Sequence, residues 1–228
     1  MVDNSLYFGK QLQLFRHLTV REQDRIKKGS THVKIAKGEV VFFEDDLLQQ
    51  LFCITEGACK FSLIDDNGNE HITKLLGKGD LMGRRSIITN KGALVTATAI
   101  KDTTLYLLEK NPILESMEQN NAFCQDVIKS FIGDMEEDIE KRAYYQNNRT
   151  VRVRLAGLLL YLYDKFGVEK EGWISVPLKR QDMANILGTT SEYVISILTS
   201  FKEKKQLIMN REKIKIVSSK QFRTLIKS

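Results

Sequence analysis

A chain of 228 residues is long enough to bury the cores of two domains, yet it carries no apolar run that would span a bilayer. Its net charge of +6 is unevenly divided. Residues 1–147 hold 19 Lys/Arg against 22 Asp/Glu, whereas residues 148–228 hold 16 against 7. No phosphate loop, nucleophile elbow or paired His/Cys metal spacing occurs, so nothing in the sequence supports an enzyme.

The opening stretch MVDNSLYFGKQ lacks the basic and apolar regions of a signal peptide. Three scattered cysteines, Cys53, Cys59 and Cys124, form no disulfide framework and suit a reducing compartment. Both features place the expected site of action in the cytoplasm.

The first thirty residues read as amphipathic helix, with Leu12, Phe15 and Leu18 as apolar positions. From His32 the texture changes to short β-rich segments broken by Gly, Asp and Asn. Asn67-Gly68 marks a hairpin turn between two of them. Short strands at such spacing predict a β-roll or jelly roll. Asn111-Pro112 announces a helix, with Asn111 at the cap and Pro112 in the first turn. From about Asn120 to Asn148 the spacing predicts one long helix. Its seam Phe131, Met135, Asp138, Arg142, Tyr145 alternates steps of four and three, as a self-pairing helix would. Ile128, Phe131, Met135 and Ile139 are the expected dimerisation residues; packing of the same helix on the roll is the alternative.

A further helix places Val151, Leu155, Leu158, Leu162 and Phe166 on one face. The stretch LKRQDMANILGTTSEYVISILTSF then reads as two short helices joined at Gly188. Met183, Ala184 and Leu187 face the core from the first, and Val194, Ile197, Leu198 and Phe201 from the second. Thr189 and Glu192 have the spacing of a capping box. Ser191, Glu192, Ile195, Ser196 and Thr199 are left facing outward, as in a helix presented to a DNA major groove. LIMNREKIKIV reads as a small hairpin turning at Asn210-Arg211-Glu212, with Lys213 and Lys215 alternating against Ile214 and Ile216. Helix pair and basic hairpin together make a winged helix, whose wing commonly touches phosphates. The basic C-terminal third coincides with it, the charge pattern of a nucleic-acid surface.

With these pieces in order, the sequence resembles the CRP/FNR family of bacterial transcription regulators. QQLFCITEGACKFSLIDDNGNEHITKLLGKGDLMG is similar to the family's strand core and its G-D-x-x-G signature, here Gly79-Asp80-Leu81-Met82-Gly83. RVRLAGLLLYLY followed by VPLKRQDMANILGTTSEYV is similar to its DNA-binding domain. The resemblance implies an α+β chain of three parts: a double-stranded β-helix (jelly-roll) sensory domain over 1–119, a dimerisation helix over 120–147 and a winged helix-turn-helix over 148–228. It implies a homodimer on double-stranded DNA, an effector that shifts a two-state packing, and RNA polymerase as a further partner. A β-roll acting mainly as a protein-interaction module is the competing reading.

On DNA, Glu192 is expected to accept from a cytosine amine and Ile195 to meet a thymine methyl. Thr190, Ser191 and Ser196 complete the recognition face. Arg180, Lys202, Lys204, Arg211 and Lys213 are expected on phosphates. The local alternative for Glu192 is the capping box. The resemblance places the effector pocket at Thr73, Met82, Gly83, Arg84, Arg85, Leu94 and Val95. Arg84 stands where cyclic-nucleotide-binding members carry a ribose-binding glutamate, and Leu94 where they carry a phosphate-clamping arginine, so cyclic AMP is disfavoured. The N-terminal cysteine cluster of iron–sulfur members is missing, which disfavours that cofactor too. Haem, as in gas-sensing members, would have to use His71 or Met82. An anionic metabolite held by Arg84-Arg85 is another candidate, against the alternative that these arginines pair with carboxylates on the long helix.

Overall fold

The structure is a computed structural model that describes residues 13–146 and 149–226. The chain enters through a 3-10 turn at Gln13–Phe15 and helix α1, Val20–Lys28. Thr19 and Glu22 close a reciprocal capping box on α1: the Thr19 amide donates to Glu22 Oε2 at 2.7 Å and the Glu22 amide to Thr19 Oγ1 at 3.3 Å. Phe15 and Leu18 are buried, as their spacing predicts, while Leu12 lies outside the described residues.

Six antiparallel strands follow: β1 Thr31–Ile35, β2 Val40–Phe42, β3 Gln50–Ile64, β4 Glu70–Leu76, β5 Leu81–Met82 and β6 Thr96–Glu109. The sheet order is β1-β6-β3-β4, with β2 on β6 and β5 on β3, so β4 is an edge strand. The two long strands, β3 and β6, serve both halves of the roll by bending together, and their register shifts between Ile54 and Cys59. Gly57 makes that bend possible. Its φ is +93°, and a Cβ there would lie 2.4 Å from the Asp102 carbonyl oxygen. Thr103 Oγ1 fills the gap, accepting from the Ala58 amide at 3.1 Å. The Asn67-Gly68 turn forms where predicted: Gly68 has φ +82°, and Asp65 Oδ1 accepts from the Asn67 and Asn69 amides at 2.9 and 2.8 Å.

Helix α2, Arg84–Thr89, stands between β5 and β6. Helix α3 spans Lys110–Gln119 and begins one residue before the expected cap: Glu109 is the cap position and Asn111 is already helical. Pro112 still sits in the first turn, where its missing N–H costs nothing. Helix α4, Asn121–Gln146, is the predicted long helix. Asn120 caps it by accepting from the Phe123 amide at 3.0 Å, and Phe123 and Val127 enter the roll core.

The C-terminal part comprises α5 Val151–Phe166, α6 Arg180–Leu187, α7 Ser191–Glu203, strands β7 Leu207–Asn210 and β8 Lys213–Ile216, and α8 Ser219–Leu225. The two halves share a core. Ala58, Ile72, Leu75 and Ile100 of the roll belong to the same buried cluster as α5, α6 and α7. Helix α5 is therefore buried nearly all round from Leu155 to Leu160, and not along one stripe alone. Polar bonds stitch the same seam. Lys60 Nζ reaches Glu70 and Asp182, each at 2.8 Å, Asn185 donates to Glu70 at 2.9 Å, and Lys165 pairs with Asp80 at 2.8 Å. Among the described residues no helix is long and apolar enough to cross a membrane.

Candidate functional site

The helix-turn-helix closes as its glycine demands. Gly188 ends α6 at φ +59°, ψ +51°, and its amide bonds back to the Ala184 carbonyl. The predicted capping box does not form. Thr190, one residue later than expected, is the cap of α7, its Oγ1 accepting from the Tyr193 amide at 3.3 Å. Two adjacent threonines can each serve, and the extended backbone of Thr190 (φ −93°, ψ +153°) selects the second. Glu192 is thereby spared that reach-back role. It is exposed, its carboxyl lies 3.2 Å from the Ser191 hydroxyl, and its pKa is held below the usual carboxylate value by its own amide and by Ser191 and Thr190.

Val194, Ile197, Leu198 and Phe201 are buried, and Glu192, Tyr193, Ile195, Ser196 and Thr199 are exposed. The sequence reading passed over Tyr193, which is 49% exposed beside Glu192. Its aromatic type at an outward position was the available signal. The face is one carboxylate, one phenol, one aliphatic side chain and two hydroxyls, so it offers hydrogen-bonding and apolar groups side by side.

The expected phosphate contacts divide. Lys202, Lys204 and Arg211 are exposed. Lys213 is half exposed and paired with Glu169 at 2.9 Å, so a phosphate must compete for it. Arg180 is engaged within the fold. Its Nη2 donates to the Arg211 carbonyl at 2.9 Å, pinning the wing to α6, and burial pushes its pKa down. It helps to position the wing.

The residues expected around an effector sit in different surroundings. Met82 is buried in the roll core, whereas Leu94 is 58% exposed. Val95 is half-buried. Gly83 at φ +88° turns the chain into α2, with a Cβ position 3.1 Å from Leu48. Arg85 donates to the Gly92 carbonyl at 3.1 Å. Thr73 lines a cavity of about 30 Å³ at the seam with α5 and α6, together with Ile72, Lys74, Leu75, Leu158, Tyr161 and Ile186. Inside the roll, Phe42 packs against Phe52 and Phe61, with ring centroids 5.5 and 6.2 Å away.

Arg84 is paired with the long helix. Its guanidinium bonds Ser130 and Asp134 on α4 and lies 5.3 Å over the Phe131 ring. Lys74 of β4 also reaches Asp134, at 3.1 Å. The signature helix α2 and the edge strand β4 are thus both fastened to one carboxylate of the long helix. Phe131 is correspondingly half-buried against its own roll. Ile128, Ile132 and Met135, 50–63% exposed, form the outward stripe of α4; the side chain of Ile139 lies outside the described residues.

The two haem candidates lie in different surroundings. His71 is half exposed on the outside of the roll, its Nε2 2.9 Å from Asp65 Oδ2, while Met82 is buried inside, opposite Phe52.

Comparison with known proteins agrees with this architecture. A cyclic nucleotide-binding domain profile matches residues 32–120, and a Crp-like helix-turn-helix profile matches residues 153–225. The chain is 26% identical over 198 residues to the global nitrogen regulator of Synechococcus elongatus, covering 82% of this chain and 87% of that protein. It is 22% identical to the probable transcriptional regulator flp of Lacticaseibacillus casei, over 92% and 93% of the two chains. The solved structure of FixK2 from Bradyrhizobium japonicum shares the fold with a TM-score of 0.75 at 18% identity, covering 86% of this chain and 96% of that one. A CRP/FNR-family regulator from Thermus thermophilus does so at 0.71 and 19%, covering 87% and 99%. A β-roll, a long helix and a winged helix-turn-helix in this order define a transcription regulator and not an enzyme. This chain belongs to the CRP/FNR family, and its helix-turn-helix makes it a DNA-binding member.

Proposed function

We propose that the chain is an effector-responsive regulator that binds an inverted-repeat operator as a homodimer and acts on transcription through RNA polymerase. The outward face of α7 carries the operator reading: an ionised carboxylate and Tyr193, Ile195 and Ser196, held on a helix whose other face is fully buried. The apolar stripe Ile128, Ile132, Met135 supports pairing of α4 with its copy across a twofold axis. Paired recognition helices then meet half-sites about 34 Å apart. Selection from random duplexes should recover an inverted repeat, and Met135→Glu should reduce both dimer formation and affinity for it. Recovery of single, unpaired sites would rule out the dimeric reading.

Base recognition by Glu192 has its own test. Glu192→Ala should relax the preference at one position of each half-site by about 1 to 3 kcal/mol, measured against duplexes carrying each base there. Thermal stability should barely move, because Thr190 supplies the cap. A stability loss with unchanged base preference would return Glu192 to a structural role.

For the effector we favour a small anion that competes with Asp134 for Arg84. Releasing that guanidinium would loosen α2 from α4, the kind of differential contact that a two-state change requires. Cyclic AMP is a poor candidate: an exposed leucine, Leu94, stands where a phosphate-clamping arginine would be needed.

A further inference from the structure

The roll reaches the wing turn through Lys37, and the chemistry there suits a phosphate. Lys37 sits at the tip of the turn between β1 and β2. The turn is firmly built: the Lys37 amide donates to Asp102 Oδ1 at 2.9 Å, and the Gly38 amide to the Ala99 carbonyl at 2.8 Å. From it the Lys37 ammonium reaches Glu212 Oε2, in the wing turn, at 2.8 Å, with both side chains 41% exposed. Glu212 lies among further cations. Lys37 first, and then Lys179 and Arg180 at the start of α6, draw its pKa below the usual carboxylate value. Arg211 is exposed beside it at φ +52°. One carboxylate is thus ringed by positive groups from the roll, the first helix of the helix-turn-helix and the wing itself.

We propose that this ring is a seat for a DNA phosphate, that Glu212 holds the seat when DNA is absent, and that Lys37 makes the roll part of the DNA interface. The inference rests on the DNA-binding reading above. A carboxylate and a phosphodiester are both singly charged oxygen acceptors, and a lysine ammonium can turn from one to the other. An exposed ion pair of this kind is held weakly. Neutralising a DNA phosphate, by contrast, releases a condensed counterion, which favours the exchange at low salt. The seat reads no base, so its contribution is the same on any duplex.

The test measures affinity of the full-length protein by fluorescence anisotropy, on a selected operator and on a scrambled duplex of equal length. Lys37→Ala should weaken both duplexes alike and make the slope of log affinity against log salt shallower by about 0.9. Between about 50 and about 200 mM salt its deficit should shrink about threefold. Glu212→Gln, which breaks the same ion pair, should act in the opposite direction and tighten binding to both duplexes, because the resident competitor is gone. In that background Lys37→Ala should cost more than it does in the wild type. An unchanged salt slope in Lys37→Ala, or weaker binding by Glu212→Gln, would overturn the proposal. A wild-type protein that binds neither duplex would instead overturn the DNA-binding reading beneath it.

Discussion

Replacing Lys60 with alanine is expected to lower the unfolding free energy by about 3 kcal/mol, read as a lower urea midpoint at an unchanged slope. The Lys60 and Asp182 side chains are each 12% exposed, and Glu70 is 25% exposed. Removing the ammonium leaves two carboxylates facing one another at the seam between β4 and α6, with Asn185 as the remaining donor to Glu70 from α6. Burial alone would depress the pKa of Lys60, but its bonds to Asp182 and Glu70 raise it above the usual lysine value. Burial alone would likewise raise Glu70, yet Lys60, Ser62 and Asn185 bring it below the usual value. The signs follow from linkage. The Glu70 contribution is present above the unfolded carboxyl value of 4.5 and is lost as pH falls through the lower folded one. The Lys60 contribution is present below 10.5 and is lost as pH rises through the higher folded value. Acidification below about pH 4 should therefore destabilise the wild type more than Lys60→Ala. A parallel pH profile for the two proteins would mean that solvent already screens the network.

Gly57→Ala is expected to cost more than about 4 kcal/mol, because clash and backbone strain act together. The added Cβ would lie 2.4 Å from the Asp102 carbonyl oxygen and 2.6 Å from Thr103 Cα, and neither is the end of a flexible side chain. Gly68→Ala is the control. It has a similar positive φ with nothing within 4 Å, so strain alone should cost about 1 kcal/mol. Loss of amide protection across β3 and β6 in the first variant, and its retention in the second, would locate the damage at the bend. Equal midpoints for the two would show that the roll can shift to admit a methyl group.

Much of the site was legible before any coordinates. Gly188, the buried stripe Val194, Ile197, Leu198 and Phe201, and the wing turn all rest on local rules, namely helix period, glycine termination and strand alternation. Local rules also explain the near misses. Thr189 and Thr190 are the same residue type one position apart, and so are equally good caps on paper. Asn111 is the better cap by type, yet α3 begins at Lys110 with no side-chain cap bond from Glu109. For Arg84, Arg180 and Lys37 the particular partner was beyond reach for another reason, although pairing with the long helix was one of the two readings open to Arg84. Their partners, Asp134, the Arg211 carbonyl and Glu212, lie 50, 31 and 175 residues away. A charged side chain in a sequence carries no mark of which distant partner will neutralise it.

What the sequence by itself determined is therefore the inventory and its order: a β-roll, a long helix, a winged helix-turn-helix, and a charge divide that puts the basic groups on the last. These follow from residue type and period, which act over a few residues at a time. The tertiary structure decided which groups remain available. It spent Arg84 and Lys74 on Asp134 and Arg180 on the wing, turned Leu94 out of the roll, and set His71 and Met82 on opposite sides of the roll wall. It also merged the two halves into one core, burying α5 from Leu155 to Leu160 where its period foretold a single apolar face. A helix pattern records that apolar surface must be covered, but not by how many neighbours. That number depends on how chain segments a hundred residues apart come together.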